Sequence, residues 1–136
     1  MIKSESEKNI VQTVFPLKPE GENVCNLNYL SEMVGGKKQL IKEIMDVFLK
    51  QVPEELQSIN DAVLKTDYAV IKRYAHTMKS TVSIMGISML TPVLQEMEDL
   101  GATATSIEKI KELNEKLNLI SKQAIEEIER DKHNYV

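Results

Sequence analysis

The chain has 136 residues, 42% of them hydrophobic, and a formal net charge of −4. This size suits one domain with one buried core, and the acidic balance gives no electrostatic support for general nucleic-acid binding. The single cysteine, Cys25, excludes an internal disulfide and any CxxC site, and the absence of a long apolar run or of a signal-peptide core predicts a cytoplasmic protein.

Residues 1–24 show no sustained periodicity and include PLKPEGENV, a stretch rich in proline and charge, so we predict an N-terminal arm or linker. Helical spacing begins at Asn26, where a short helix can start, and it ends at the Gly35–Gly36 pair. We assign residues 25–131 to one helical bundle and residues 132–136 to a C-terminal tail.

Four longer helices follow the short one. The first long helix contains Pro53, which predicts a kink or a break near Gln51–Val52. Its apolar positions, at steps of three or four, are Leu40, Ile44, Phe48, Val52, Leu56, Ile59 and Val63. The apolar positions of the last helix are Ile107, Ile110, Leu113, Leu117, Ile120, Ala124 and Ile128.

Local signals predict where the remaining helices begin and end. Asp67 is a suitable N-cap for a helix over about residues 68–85, and Ser88 for the next, which Gly101 would close. Thr105 and Glu108 have the spacing of a capping box at the start of the last helix. No segment alternates like a strand. The fold class is therefore all-α, an antiparallel four-helix bundle with a short additional N-terminal helix.

His76 lies in a polar stripe of the helix predicted over 68–85. At about 100° per residue, His76 is about 140° from the centre of the core face. That core face comprises Ile71, Tyr74, Ala75, Met78, Val82 and Met85. The polar stripe around the histidine comprises Lys72, Arg73, Lys79, Ser80 and Ser83. A solvated surface histidine is the ordinary alternative to a functional one at such a position.

The small side chains of Ser80 and Ser83 leave the imidazole clear of its neighbours. Lys72, Arg73 and Lys79 form a cationic patch on an acidic protein, which suits an anionic group.

Glu98 is level with His76 if the two helices that meet near Gly86–Ile87 are antiparallel. Its carboxylate would then accept a hydrogen bond from the imidazole Nδ1–H and leave the Nε2 lone pair facing solvent. Spacing alone is equally compatible with an ordinary solvated carboxylate.

The segment YAHTMKSTVSIMGISML, residues 74–90, resembles the histidine-containing phosphotransfer (HPt) domains of bacterial phosphorelays. The resemblance covers about residues 26–103. The family has a small residue at position 80, which is more often glycine than the serine of this chain. The matching positions in the segment are Ala75, His76, Met78, Lys79, Ser80 and Gly86. Further matches are Leu30, Gly35–Gly36, Leu40, Phe48, Pro53, Asp67 and Glu98.

The resemblance implies that His76 accepts a phosphoryl group on Nε2 from a sensor histidine kinase or a response-regulator receiver domain and passes it on. Lys79 would partly offset the phosphoryl charge, and Glu98 would orient the ring. Ser80 would keep the approach open, and Gly86 would let the chain turn and the helices pack closely.

Partner docking is predicted at Lys72 and Arg73 and at Ile84, which lies outside the core face of its helix. The sequence has no Gly-rich phosphate loop and no evident cluster of carboxylates for Mg²⁺. We therefore expect a carrier without its own cofactor, metal or kinase activity, with Mg²⁺ and the catalytic groups supplied by the partner. We also expect the protein to be a monomer.

Helical bundles also serve other functions. A di-iron site in a bundle needs Glu-x-x-His motifs on two helices, but Arg73 and Arg130 stand three residues before His76 and His133. An HPt-like adaptor could bind a partner without ever being phosphorylated. The domain could also be either a free-standing shuttle or part of a larger kinase.

Overall fold

The computed structural model describes residues 23–135, so nearly all of the predicted arm lies outside the described part. Residues 23–135 contain helices and no strand, which confirms the predicted fold class. The helices are α1 (Asn28–Met33), α2 (Lys38–Leu64), α3 (Tyr68–Ile84), α4 (Leu90–Thr103) and α5 (Ile107–Asp131), with a final 3₁₀ turn (Lys132–Tyr135). Short connections make α2 to α5 an antiparallel bundle. No helix of the described residues is long and apolar enough to cross a membrane.

The ends of the helices follow the predicted caps only in part. Asp67 caps α3, since its side chain accepts a hydrogen bond from Val70 N at 3.3 Å. The predicted Ser88 cap is wrong, because α4 begins at Leu90, whose amide donates to the main-chain oxygen of Ile87. Backbone carbonyls of this tight turn therefore replace a side-chain cap.

The capping box predicted at the start of α5 is also wrong. The helix starts one residue later, after Ser106, which has a left-handed backbone (φ 59°) and gives no side-chain cap. The hydroxyl of Thr105 is instead hydrogen-bonded to that of Thr103 at 2.8 Å.

Gly101 does not close α4, contrary to the prediction, but lies buried inside it. The helix runs on to Thr103 and ends at Ala104, which has a left-handed backbone (φ 54°). A Cβ atom on Gly101 would lie 3.0 Å from the oxygen of Tyr68 and 3.1 Å from the nitrogen of Lys72. The missing side chain therefore lets α4 pack closely against the first turns of α3.

Helix α2 continues through Pro53 from Lys38 to Leu64, so the predicted break does not occur. A proline inside a helix removes one backbone hydrogen bond. Val52 and Leu56, on either side of the proline, are both buried and hold this part of the helix against the core. Burial of that apolar face offsets the missing bond.

The core lies between the four long helices and agrees with most of the predicted apolar faces. In the first turns of α2, Ile41 and Met45 are buried, whereas Leu40, predicted at the core, is 38% exposed. Tyr74 is half-buried and packs on the core. The buried predicted residues of α3 and its C-terminal turn are Ile71, Ala75, Met78, Val82 and Met85, and those of α5 are Ile110, Leu113, Leu117, Ile120, Ala124 and Ile128.

Residues 24–26, which precede α1, are hydrogen-bonded to the end of the bundle where α3 turns into α4. The buried carboxylate of Glu127 accepts hydrogen bonds from Val24 N at 2.6 Å and Cys25 N at 3.0 Å. Burial and the adjacent Glu127 carboxylate raise the pKa of the Cys25 thiol, which keeps it protonated. Asn26 N donates to Met85 O and Gly86 O.

Gly86 has a backbone φ of +66°, and a Cβ atom there would overlap the main chain of Asn26. Its role in the turn is therefore to admit the N-terminal segment, whereas the close approach of the two helices occurs at Gly101.

Replacing Gly86 by Ala is expected to lower the free energy of unfolding by about 3 kcal/mol, from left-handed strain together with overlap with Asn26. Gly36→Ala is the matched control, because Gly36 has a similar φ of +72° but nothing within 4 Å of the position that a Cβ atom would occupy. The Gly36→Ala variant should lose only about 1 kcal/mol of unfolding free energy. Urea denaturation measures both values, and equal losses would contradict the close approach at Gly86.

Candidate functional site

His76 stands on the solvent face of α3, with 68% of its side chain exposed. Ile71, Ala75 and Met78 are buried on the opposite face of α3, so His76 is turned outward. Within the described residues, the ring nitrogen Nε2 has no hydrogen-bond partner. The predicted stripe surrounds it, with Lys72, Arg73, Ser80 and Ser83 exposed and Lys79 half-buried.

Glu98 of α4 holds the other ring nitrogen. Its Oε2 lies 2.8 Å from Nδ1 of His76, at the height that the antiparallel arrangement predicts. A carboxylate is an acceptor, so Nδ1 carries the hydrogen of this bond and the lone pair of the neutral ring is on Nε2. Only 16% of the Glu98 side chain is exposed, which restricts its rotation and that of the imidazole.

Lys79 shares the same carboxylate. Its Nζ lies 2.6 Å from Glu98 Oε1, and it also donates to Oε1 of Gln95 at 2.9 Å. The hydrogen bond from Lys79 is the main cause that lowers the pKa of Glu98, with a further contribution from His76, while partial desolvation opposes both. Glu98 is therefore ionised at neutral pH and binds two cationic or donor groups at once.

The two predicted docking cations flank the histidine. Lys72 and Arg73 line a surface depression together with His76, Thr77 and Glu98. The Arg73 guanidinium lies 5.4 Å from the ring centroid of Tyr74, a cation–π distance that holds it against the surface. His76 thus shares a depression with two cationic residues on a protein that is acidic as a whole.

The other predicted site residues lie towards the end of α3 and in the turn after it. Ser83 and Gly86 are seven and ten residues beyond His76, about 10 and 15 Å along the helix axis. Ile84 is half-buried and lines an apolar groove with Ile44, Val47 and Phe48 of α2. None of these three positions belongs to the hydrogen-bond network of His76.

Two residues of the site, Gln95 and Thr77, were not identified from the sequence. Gln95 could have been found, because the pairing rule that matches position 76 with 98 also matches 79 with 95. Thr77 gives no such signal, since its hydroxyl donates to Arg73 O at 3.0 Å within its own helix. Across residues 23–135 there is no group of three or more His, Cys, Asp or Glu side chains suited to a metal ion.

A helical bundle that presents one oriented histidine to solvent, without an enclosed pocket around it, has the form of a phosphotransfer module. A family model for the Hpt domain matches residues 43–130, well over half of the chain, and the chain therefore belongs to the Hpt domain family. Hpt domains are the histidine phosphotransfer modules of phosphorelays and are phosphocarriers rather than kinases. No curated protein and no solved structure matched the chain.

The family match and the resemblance seen in the sequence overlap without coinciding. The match runs from α2 into the end of α5 and contains His76, Lys79 and Glu98. Leu30, the Gly35–Gly36 pair and Leu40, which resemble the start of the family pattern, lie outside the matched residues.

The lowered pKa of Glu98 predicts a pH-dependent contribution to stability. Glu98→Gln should reduce the free energy of unfolding by about 0.5–1 kcal/mol at pH 7, through loss of the ion pair with Lys79. A carboxyl group with a lowered pKa stabilises the fold above its ordinary value of 4.5. This contribution is lost as the pH falls through the lower pKa of the folded state, so the deficit should shrink as the solution is acidified below pH 4.5.

Urea titrations of both proteins between pH 7 and pH 3 provide the measurement. Glu96→Gln, an exposed change on the same helix, controls for the loss of one negative charge. A deficit in Glu98→Gln that is constant over this range would contradict the assignment.

Proposed function

We propose that this Hpt domain is a phosphorelay intermediate that accepts a phosphoryl group on Nε2 of His76 and exchanges it with the aspartate of a response-regulator receiver domain. The observation that carries the proposal is the 2.8 Å contact between His76 Nδ1 and Glu98, which leaves Nε2 as the open nucleophilic nitrogen. We also propose that the protein is monomeric and cytoplasmic.

In the transfer step, the Nε2 lone pair attacks the phosphorus of an aspartyl phosphate. The bond between phosphorus and the aspartyl oxygen breaks, and its electron pair returns to the carboxylate of the receiver domain. The Nδ1 hydrogen stays in place, so the imidazole becomes positively charged beside the Glu98 carboxylate. The reverse step restores the same neutral ring.

The charges around His76 suit this step, because phosphoryl transfer depends mainly on alignment and on neutralisation of the phosphoryl oxygens. Lys79 brings one positive charge to the histidine's own network, and Lys72 and Arg73 bring two more to the adjacent depression. We expect Mg²⁺ and the remaining catalytic groups on the receiver domain, as no part of the transfer requires them on this chain.

Docking of the receiver domain is proposed on both sides of His76. Lys72 and Arg73 offer charge on one side, and the groove of Ile84, Val47 and Phe48 offers apolar area on the other. The small, exposed Ser80 lies between the histidine and the groove. A transient interface of modest size combines apolar and polar contacts in this way.

Incubation with a phosphorylated receiver domain and Mg²⁺ is expected to give an acid-labile, alkali-stable label on His76. His76→Gln should fold normally, because the ring is exposed, and should lose the label. His133→Gln is the matched control and should keep it, because His133 lies in the exposed final turn. Binding of the receiver without any label would instead establish an adaptor, and labelling from ATP alone would contradict a carrier without kinase activity.

Val47→Asp is expected to slow transfer from the receiver domain about tenfold by placing a charge in the apolar groove. Ile84→Asp should have the same effect. Because Val47 is 51% exposed, its replacement should not unfold the domain, so a slower transfer rate in Val47→Asp would report on the groove itself. Leu119→Asp on α5 is the control for an exposed apolar residue elsewhere. Stopped-flow transfer rates measure the effect, and unchanged rates in both groove variants would remove this surface from the interface.

A further inference from the structure

Lys79 is held by a second residue of α4 besides Glu98. Its ammonium group donates to Oε1 of Gln95 at 2.9 Å, and only 25% of the lysine side chain is exposed. The contact with Glu98 is an ion pair, whereas the contact with Gln95 is a hydrogen bond. Lys79 is therefore restrained by charge from Glu98 and by a directed hydrogen bond to Gln95.

The orientation of the Gln95 amide is itself controlled. Its Nε2 donates to Oδ1 of Asp99 at 3.0 Å, one helical turn further along α4. With the amide nitrogen held by Asp99, the amide oxygen faces Lys79, whereas the flipped amide would set an N–H donor against the ammonium group. Asp99 therefore determines that Gln95 acts as an acceptor.

A neutral acceptor at position 95 has a consequence that a carboxylate would not have. Glu98 already carries the negative charge that pairs with Lys79 and with the Nδ1 hydrogen of His76. Gln95 adds a hydrogen bond to the lysine without adding a second negative charge. The lysine is restrained, and its positive charge remains effective toward an anion that approaches His76.

We propose that Gln95 is a positioning residue of the phosphotransfer site, which restrains the Lys79 ammonium beside His76 without cancelling its charge. This inference rests on the proposed function, because the anion in question is the phosphoryl group delivered to Nε2. It assigns to α4 two residues that hold one lysine, the ionised Glu98 and the neutral Gln95.

The test uses the full chain and phosphoramidate, a small donor that needs no docking surface. In this reaction the P–N bond of the donor breaks, ammonia leaves, and the new bond forms between phosphorus and Nε2 of His76. Gln95→Leu, which removes the acceptor, should lower the rate of labelling about fivefold, as expected for a lost hydrogen bond to a charged group at a partly exposed site.

Gln57→Leu is the matched control. Gln57 makes the same contact to an aspartate four residues on, with its Nε2 donating to Asp61 Oδ1 at 3.0 Å, but on α2 and without a lysine partner. Both variants lose one glutamine–aspartate pair of a helix surface, so a purely structural effect would appear in both. The labelling rate of Gln57→Leu should equal that of the original protein.

Two further readouts separate positioning from structure. Gln95→Glu keeps an acceptor but adds a charge, so its slower labelling should recover toward the original rate at 1 M salt, whereas the loss in Gln95→Leu should persist. In ¹⁵N NMR spectra, the Lys79 ammonium hydrogens should exchange with water faster in Gln95→Leu than in Gln57→Leu.

The outcomes are distinguishable from a failure of the proposed function. If the original protein gains no label on His76 from phosphoramidate or from a phosphorylated receiver domain with Mg²⁺, the phosphotransfer proposal itself is wrong. If the original protein is labelled and Gln95→Leu is labelled within twofold of its rate, or if Gln57→Leu loses as much, the role of Gln95 is overturned.

Discussion

The functional geometry of this molecule depends on the contact between α3 and α4 at Gly101. The backbone of α4 reaches the main chain of Tyr68 and Lys72 there, because no side chain intervenes. One turn away, the same closeness brings the Glu98 carboxylate within 2.8 Å of the His76 ring. A larger residue at 101 would separate the helices and, with them, the two halves of the site. A packing constraint thus sets a hydrogen bond on the surface.

Glu98 then organises the charges. One oxygen holds the imidazole and the other holds the lysine, so a single ionised group fixes the tautomer of one partner and the position of the other. In the proposed transfer the ring would gain positive charge, and the compensating carboxylate is already in contact with it. Such a step would need little reorganisation of this domain.

Periodicity was a good guide to the helices and to the outward direction of His76, because burial of one helix face is averaged over many residues. The antiparallel pairing rule then gave the height of Glu98, and the same rule would have given Gln95. Helix ends were predicted poorly. Ser88, Thr105 and Gly101 match local capping preferences, yet a backbone turn satisfies the first amides of α4, and Gly101 is needed for packing.

Leu40 illustrates a second limit. Both Leu40 and Ile41 fit an apolar stripe, and which of the two is buried depends on how α2 is rotated against its neighbours, which the periodicity of one helix does not specify. Neighbouring elements likewise decide that Gly86 accommodates Asn26. Such positions are set by tertiary contacts between segments distant in the chain.

The attachment of residues 24–26 has a mechanical consequence. A pull on the N-terminal side of the domain would be carried into α5 through Glu127 and into the turn after α3 through the amide of Asn26. That turn is about 15 Å along the helix axis from His76. Tension applied on that side would therefore enter the bundle at this turn and at α5, and not at the position of the histidine.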